Sequence, residues 1–162
     1  WLPTIALSKG LEPVQAGYIA FAFQLTTIPA AFLIPAIATR LKDQRGIISV
    51  VAVLYIASLI GLAFATNPIF LTIAVMFYGF STGCCFNLCM LLISLRTGNA
   101  ARATSLSGMV QSLGYGFGAI GPILGGWLFD LTGNWNATFA CVGILIVIIF
   151  FSGRQAGKNI YI

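Results

Sequence analysis

The chain is predicted to be an all-α polytopic membrane protein, and three observations carry that reading. Hydrophobic residues make up 59% of its 162 positions and charged residues only 7%, where a soluble domain carries about 25% charge. Its mean hydropathy is +1.01, so the chain lacks the polar groups to clothe itself in water, and lipid must be its solvent. Finally, seven of its eight basic residues alternate with its hydrophobic runs: Arg40, Lys42 and Arg45 follow the first, Arg96 and Arg102 the third, Arg154 and Lys158 the fifth. The connections around Asn67 and Asn134 carry no Lys or Arg. Basic residues beside a spanning segment resist translocation, so five crossings with alternate basic loops set the N-terminal side outside and the C-terminus in the cytoplasm. Only Lys9 falls on the outer side.

The elements follow in order. Residues 1–8 are expected to be the end of a helix whose body is missing, with Trp1 suited to the membrane–water interface. Because the sequence begins without Met, an N-terminal portion is expected to precede it. The first complete helix is placed at 14–39. Pro13 loses nothing in a first turn, and the Glu12 carboxylate favours the positive helix end. Pro29 and Pro35 lie inside this helix, where each removes a backbone hydrogen bond and is expected to bend it. The second helix is placed at 47–65, nearly all apolar. Thr66-Asn67-Pro68 turns the chain into a third at 69–95. The fourth spans 103–130 and closes at Gly133-Asn134, Gly being suited to a left-handed cap. The fifth covers 137–153. About 20 residues cross some 30 Å of hydrocarbon, so the third and fourth helices are long enough to tilt or to project into water.

The fourth helix carries the clearest packing pattern. Gly114, Gly118, Gly121 and Gly125 are four, three and four residues apart, which at 100° per residue gathers them within about 60° of helix surface. Such a groove lets another helix approach closely and be held by dispersion. It suits static packing and a sliding interface alike.

Polar side chains at membrane depth face another helix or a cavity. Gln24 and Thr27 lie one turn apart on the first helix. Tyr78, Ser81 and Thr82 share a face of the third, with Asn87 further along. Gln111, Ser112 and Tyr115 form a stripe on the fourth, rotated from the glycines. For each of these, an interhelical hydrogen bond competes with contact to a solute.

Several chemistries are excluded or disfavoured. There is no His, and the acids are Glu12, Asp43 and Asp130, all at the edges of hydrophobic runs. No carboxylate stands where a proton relay would cross the bilayer, and no nucleophile stands with a base, so the chain is not read as an enzyme. Cys84, Cys85, Cys89 and Cys141 lack a zinc-site spacing and read as small packing residues. Neither a metal nor a cofactor is expected. The net charge of +5 is spread over three short turns rather than one patch, so no nucleic-acid partner is expected either. Asn136-Ala-Thr138 has the form of a glycosylation sequon, but it abuts a helix start.

The stretch Thr39-Arg40-Leu-Lys-Asp43-Gln-Arg45-Gly46 resembles a degraded form of the cytoplasmic loop motif of the major facilitator superfamily. Asp43 and Gly46 match it, whereas the initial Gly and the residue after Asp depart. Leu92-Ile-Ser-Leu-Arg96-Thr97, Ala103-Thr-Ser-Leu-Ser-Gly108 through Tyr115, Gly121-Pro122, and Asp130-Leu-Thr-Gly133-Asn-Trp135 are similar to the cyanate and 2-nitroimidazole transporter family. The resemblance runs from Trp1 to about residue 152. It implies the C-terminal half of a twelve-helix major facilitator fold, in a bacterial inner membrane, whose missing N-terminal half would supply the other wall of a central cavity. It puts the first, third and fourth helices on the cavity side and the second and fifth at the periphery. The candidate cavity-lining residues are then Gln24, Tyr78, Asn87, Gln111 and Tyr115. Gly114, Gly118, Gly121 and Gly125 are the helix-packing set, and Arg40, Asp43, Arg45 and Gly46 the loop motif.

The expected function is secondary active transport, by alternating access, of a small polar or anionic solute such as cyanate or of a nitroimidazole-like compound. A non-transporting membrane subunit or scaffold, and a multidrug exporter of the same superfamily, are the alternatives.

Overall fold

The computed structural model describes residues 1–159. Six helices carry this part of the chain: α1 (Leu2–Ser8), α2 (Pro13–Ala38), α3 (Arg45–Phe64), α4 (Pro68–Arg96), α5 (Ala100–Thr132) and α6 (Asn136–Ala156). No strand occurs among the described residues.

The helix ends show why the chain breaks where it does. At α2 the Glu12 backbone N–H donates to the Gln15 side-chain oxygen at 3.1 Å, and Pro13 occupies the first turn. Asn67 Oδ1 accepts the Phe70 N–H at 2.8 Å ahead of Pro68. Asn99 Oδ1 accepts the Arg102 N–H at 2.8 Å in the same way, so α5 begins three residues before the expected 103. An Asx cap there satisfies an N–H that the helix cannot satisfy itself. Gly133 ends α5 in the left-handed region at φ 67°. Gly153, where the last helix was expected to stop, instead lies within α6 and accepts the Gly157 N–H at 2.7 Å. α2 runs unbroken through Pro29 and Pro35.

Four helices, α2, α3, α4 and α6, are long and apolar enough to cross a membrane. The 20 residues of α3 reach about 30 Å at 1.5 Å each. α5 is longer, at 33 residues, but glycines and the polar side chains of Thr104, Ser105, Ser107, Gln111 and Ser112 dilute its hydropathy. α5 is thus the polar, glycine-rich member among the five long helices expected to cross.

α4 is the hub, packing on α2, α3 and α5, while α6 packs on α3 and α5, and α1 on α2. The hydrophobic core has two parts. Towards one end, Ala6, Ala16, Ile19, Leu62, Leu71 and Val75 bring together α1, α2, α3 and α4. Towards the other, Ala30, Ile34, Ile48, Val51, Leu88 and Leu92 bring together α2, α3 and α4. The α2–α4 contact is closest at Gly79 and Gly83. A Cβ at Gly83 would lie 3.0 Å from Ala30 Cβ and from the Thr27 backbone. Backbones can approach this far only where side chains are absent.

Candidate functional site

α5 is anchored only lightly: of its residues Gly125 alone is buried. A cleft of about 500 Å³ opens between its first half and the end of α4, lined by Met90, Ile93, Ser94, Thr104, Ser107 and Gly108 among others. Gln111 stands one turn beyond Ser107. Its Nε2 donates to Ser107 Oγ at 2.9 Å and reaches Met90 Sδ across the cleft at 3.5 Å. Asn87 is one turn before Met90 on α4, half-buried, with its Nδ2 donating to the Gly83 carbonyl at 2.8 Å. Its side-chain oxygen accepts no hydrogen bond among the described residues. Tyr115, one turn beyond Gln111, is 65% exposed. Gln111 therefore reaches the rim of this cleft through Ser107 and Met90, Asn87 lies one turn away on the facing helix and bonds within α4, and Tyr115 extends the Gln111 stripe along an open helix face.

The other two candidates stand elsewhere. Gln24 is exposed on α2. The neighbouring threonines turn inward on their own helix, Thr27 Oγ1 donating to the Gln24 carbonyl at 2.7 Å and Thr26 Oγ1 to that of Phe23 at 2.9 Å. Tyr78 is wedged between α2 and α3, its ring 6.1 Å from Phe23 and 4.9 Å, edge-on, from Tyr55. Thr82 Oγ1 lies 3.0 Å from the Tyr55 hydroxyl. Tyr55, Tyr78 and Thr82 form a small polar core that joins α3 to α4. Tyr55 was not foreseen; its signal was a lone phenol in an otherwise apolar run.

The loop between α2 and α3 divides its labour differently from the motif it resembles. Arg40 is exposed, Asp43 Oδ2 pairs with Arg45 Nε at 3.3 Å, and the same carboxylate accepts the Arg45 backbone N–H at 2.7 Å. Gly46 has no neighbour that a Cβ would meet. The residue that ties this loop to the bundle is Gln44, 2% exposed. Its Nε2 donates to the Ala38 and Leu41 carbonyls at 3.1 and 2.8 Å, and its Oε1 accepts from Arg96 Nη2. Arg96, 6% exposed at the end of α4, also donates to the Gly157 carbonyl at 3.1 Å and to Asn159 Oδ1 at 3.2 Å. Three chain segments thus meet at one guanidinium, whose planar fork can serve several acceptors at once.

A second cation does similar work at the opposite end. Lys9 Nζ donates to the Ala63 and Ala65 carbonyls at 3.1 and 3.0 Å, capping the C-terminus of α3. Ammonium groups favour that negative helix end. Partial burial pulls the Lys9 pKa below its ordinary value.

The glycine row of α5 is used at one end only. A Cβ at Gly125 would come within 3.2 Å of the Trp1 ring and 3.5 Å of Thr138. At Gly114, Gly118 and Gly121 it would meet nothing within 4 Å. Trp1 also donates its indole N–H to the Pro122 carbonyl at 2.9 Å and lies against Trp135, which stacks on Phe129. Among the described residues no group of His, Cys, Asp or Glu is arranged to hold a metal, and the four cysteines are unpaired.

The arrangement is that of a helical wall with polar groups on an uncovered face, and known proteins resemble it along its whole length. The Major Facilitator Superfamily description matches residues 1–154. The uncharacterized transporter YycB of Bacillus subtilis (strain 168) is 36% identical over 162 residues, covering 100% of this chain and 40% of its own. The 2-nitroimidazole transporter of Escherichia coli (strain K12) is 37% identical over 159 residues, covering 98% of this chain and 40% of its own. The cyanate transport protein CynX of the same organism is 27% identical over 158 residues, covering 94% and 40% respectively. This chain therefore spans about 40% of the length of these relatives. No solved structure matches it. On the family match across residues 1–154, the chain is a multi-pass membrane protein that belongs to the major facilitator superfamily.

Proposed function

We propose that this chain is the C-terminal half of a secondary active transporter in a bacterial inner membrane, with its C-terminus in the cytoplasm. It forms one wall of a central cavity through which a small polar or anionic solute, such as cyanate, or a nitroimidazole-like compound moves by alternating access. The similarity to transporters for 2-nitroimidazole and cyanate supports the solute class. The uncovered glycine face at Gly114, Gly118 and Gly121 supports a second half as the partner, because smooth backbone exposed to lipid forgoes the close contact that helix association in membranes depends on.

The observation that carries the reading is Gln111, held by Ser107 and Met90 at the open α4–α5 cleft, with Asn87 on the facing helix. An amide at each side and the Tyr115 phenol beyond give neutral donors and acceptors. These can bind a polar or anionic solute without the cost of burying a fixed charge in the bilayer. Gln24, on α2, would face the same cavity from the other flank. Tyr78 would act from behind the wall, by holding α4 against α2 and α3.

The test is transport kinetics of the full-length protein with Gln111→Leu and Tyr115→Phe, which keep most of the volume and remove the polar handle. Apparent affinity for cyanate or 2-nitroimidazole should fall by about tenfold with yield and thermal stability near normal, since an intramembrane hydrogen bond contributes only about 0.6 kcal/mol. Unchanged kinetics in both variants would remove them from the solute path. A parallel loss of folded protein would make them helix-packing residues instead.

A further inference from the structure

α4 and α6 are bridged by α3 on one side and α5 on the other rather than packed along each other. A seam is left between them. On the α3 side lies a cavity of about 270 Å³ that includes Tyr55, Leu88, Ile146 and Phe150 in its lining. On the α5 side lies one of about 380 Å³, bordered by Ile93, Leu106 and Val110. Cys89, Leu92 and Ala156 line both. Protein interiors are packed to crystal density, so an apolar seam of this size along membrane helices needs an apolar filler.

The charge at one end of the seam narrows the choice. Arg96 and Lys158 line the larger cavity where α4 and α6 finish. Among the described residues every partner of Arg96 is a neutral oxygen: Gln44 Oε1, Asn159 Oδ1 and the carbonyls of Ala156 and Gly157. These satisfy its donors, and among the described residues its charge has no counter-ion beyond the helix C-termini. The three acidic side chains lie elsewhere. Asp43 is paired with Arg45, Glu12 precedes α2 at the opposite end of the bundle, and Asp130 lies in the last turn of α5, also at that end. Among the described residues no carboxylate lines this cavity.

We propose that the seam between α4, α5 and α6 is a binding site for an anionic phospholipid of the leaflet at the basic end of the bundle. One acyl chain lies along Leu92, Leu106 and Val110. The phosphate meets the Lys158 ammonium, with the buried Arg96 guanidinium supplying the field behind it. Basic pockets between membrane helices recognise anionic headgroups in this way. A zwitterionic lipid fits the same groove but gains less from the two cations.

The test uses the full-length protein in detergent with added dioleoyl-phosphatidylglycerol or dioleoyl-phosphatidylcholine, read by native mass spectrometry and by thermal unfolding. Phosphatidylglycerol should be retained about tenfold more strongly and raise the Tm by a few degrees more than phosphatidylcholine. Lys158→Gln, at a half-buried position outside the helices, should remove most of that preference and leave retention of phosphatidylcholine unchanged. Leu106→Trp should fill the groove and reduce retention of both. Equal retention of the two lipids by the wild type would overturn the proposal, as would an undiminished preference in Lys158→Gln. A Tm rise of the same size from inorganic phosphate alone would make the site one for a free anion, and the lipid assignment would fail.

Discussion

Gly79→Ala tests the closest approach that any described glycine makes to a neighbouring helix. A Cβ at this position would run into the Phe23 carbonyl oxygen, approach Thr26 Oγ1 to 2.5 Å and lie 3.0 Å from Phe23 Cδ2. The first obstacle is backbone within a helix and cannot swing aside, so α2 must move bodily away from α4. Thr26 is hardly freer, because its hydroxyl is engaged with the Ala22 and Phe23 carbonyls at 3.1 and 2.9 Å. Overpacking of this kind costs about 1–3 kcal/mol. Against it stands the better helix propensity of Ala, about 1 kcal/mol. The clash should win, with a net loss of about 1–2 kcal/mol, because separation also weakens the contacts around Ala30 and Ile34 next along α2. Gly83→Ala, whose nearest atoms are 3.0 Å away, should cost less. Gly46→Ala, which meets nothing within 4 Å, should cost nothing. Thermal unfolding of the three full-length variants in one detergent reads the series. A Gly79→Ala protein that melts at or above the wild type, with Gly46→Ala unchanged, would refute the packing argument.

Three further outcomes are expected. In a cysteine-free full-length background, Cys at exposed Lys42 should react only from the cytoplasm and Cys at Asn134 only from outside; the reverse pattern would invert the topology. Gln44→Leu should destabilise the protein by about 2–4 kcal/mol, since it strips one acceptor from a buried guanidinium and a donor from the Ala38 and Leu41 carbonyls; chemical unfolding within 0.5 kcal/mol of wild type would show that Arg96 is held well enough by α6 alone. Gly118→Leu should lower yield and transport together if the open face of α5 meets the other half; a normal protein would mean that the face looks into lipid.

How much was legible follows from which signals are local. Hydropathy, prolines and caps are read residue by residue, so the helices and the left-handed Gly133 were visible in the sequence. Close packing is not local. The glycines of α5 drew attention by their number, yet the pair that sets the closest helix approach is Gly79-x-x-x-Gly83 on α4, the same spacing with fewer repeats. Which face of α4 meets α2 depends on the whole bundle. The site shows the same limit. Gln111 and Asn87 were chosen for polarity at depth, and the fold brings the Gln111 amide to Ser107 and Met90 at the α4–α5 cleft while Asn87 bonds to the Gly83 carbonyl of its own helix. Tyr78, chosen by the same rule, faces Tyr55 and Phe23, because a phenol serves a helix–helix junction as well as a cavity. In the α2–α3 loop the motif resemblance pointed to the charged positions, while neutral Gln44 makes the long-range contacts. An amide between two charged residues gives no sign of burial until the partner arginine, 52 positions away, is brought beside it.

The hub position of α4 bears on how the chain assembles. Helices enter the bilayer in the order in which they are synthesised, and α2 and α3 meet chiefly through α4. Until Pro68–Arg96 has been inserted, α2 and α3 have little surface to offer each other. The arrival of α4 closes both junctions at once, and Arg96, at its last turn, becomes the first group able to draw in Gln44. Its remaining acceptors, at and just beyond the end of α6, come later still. The order of synthesis thus delays the final clasp on Arg96 until α6 is in place.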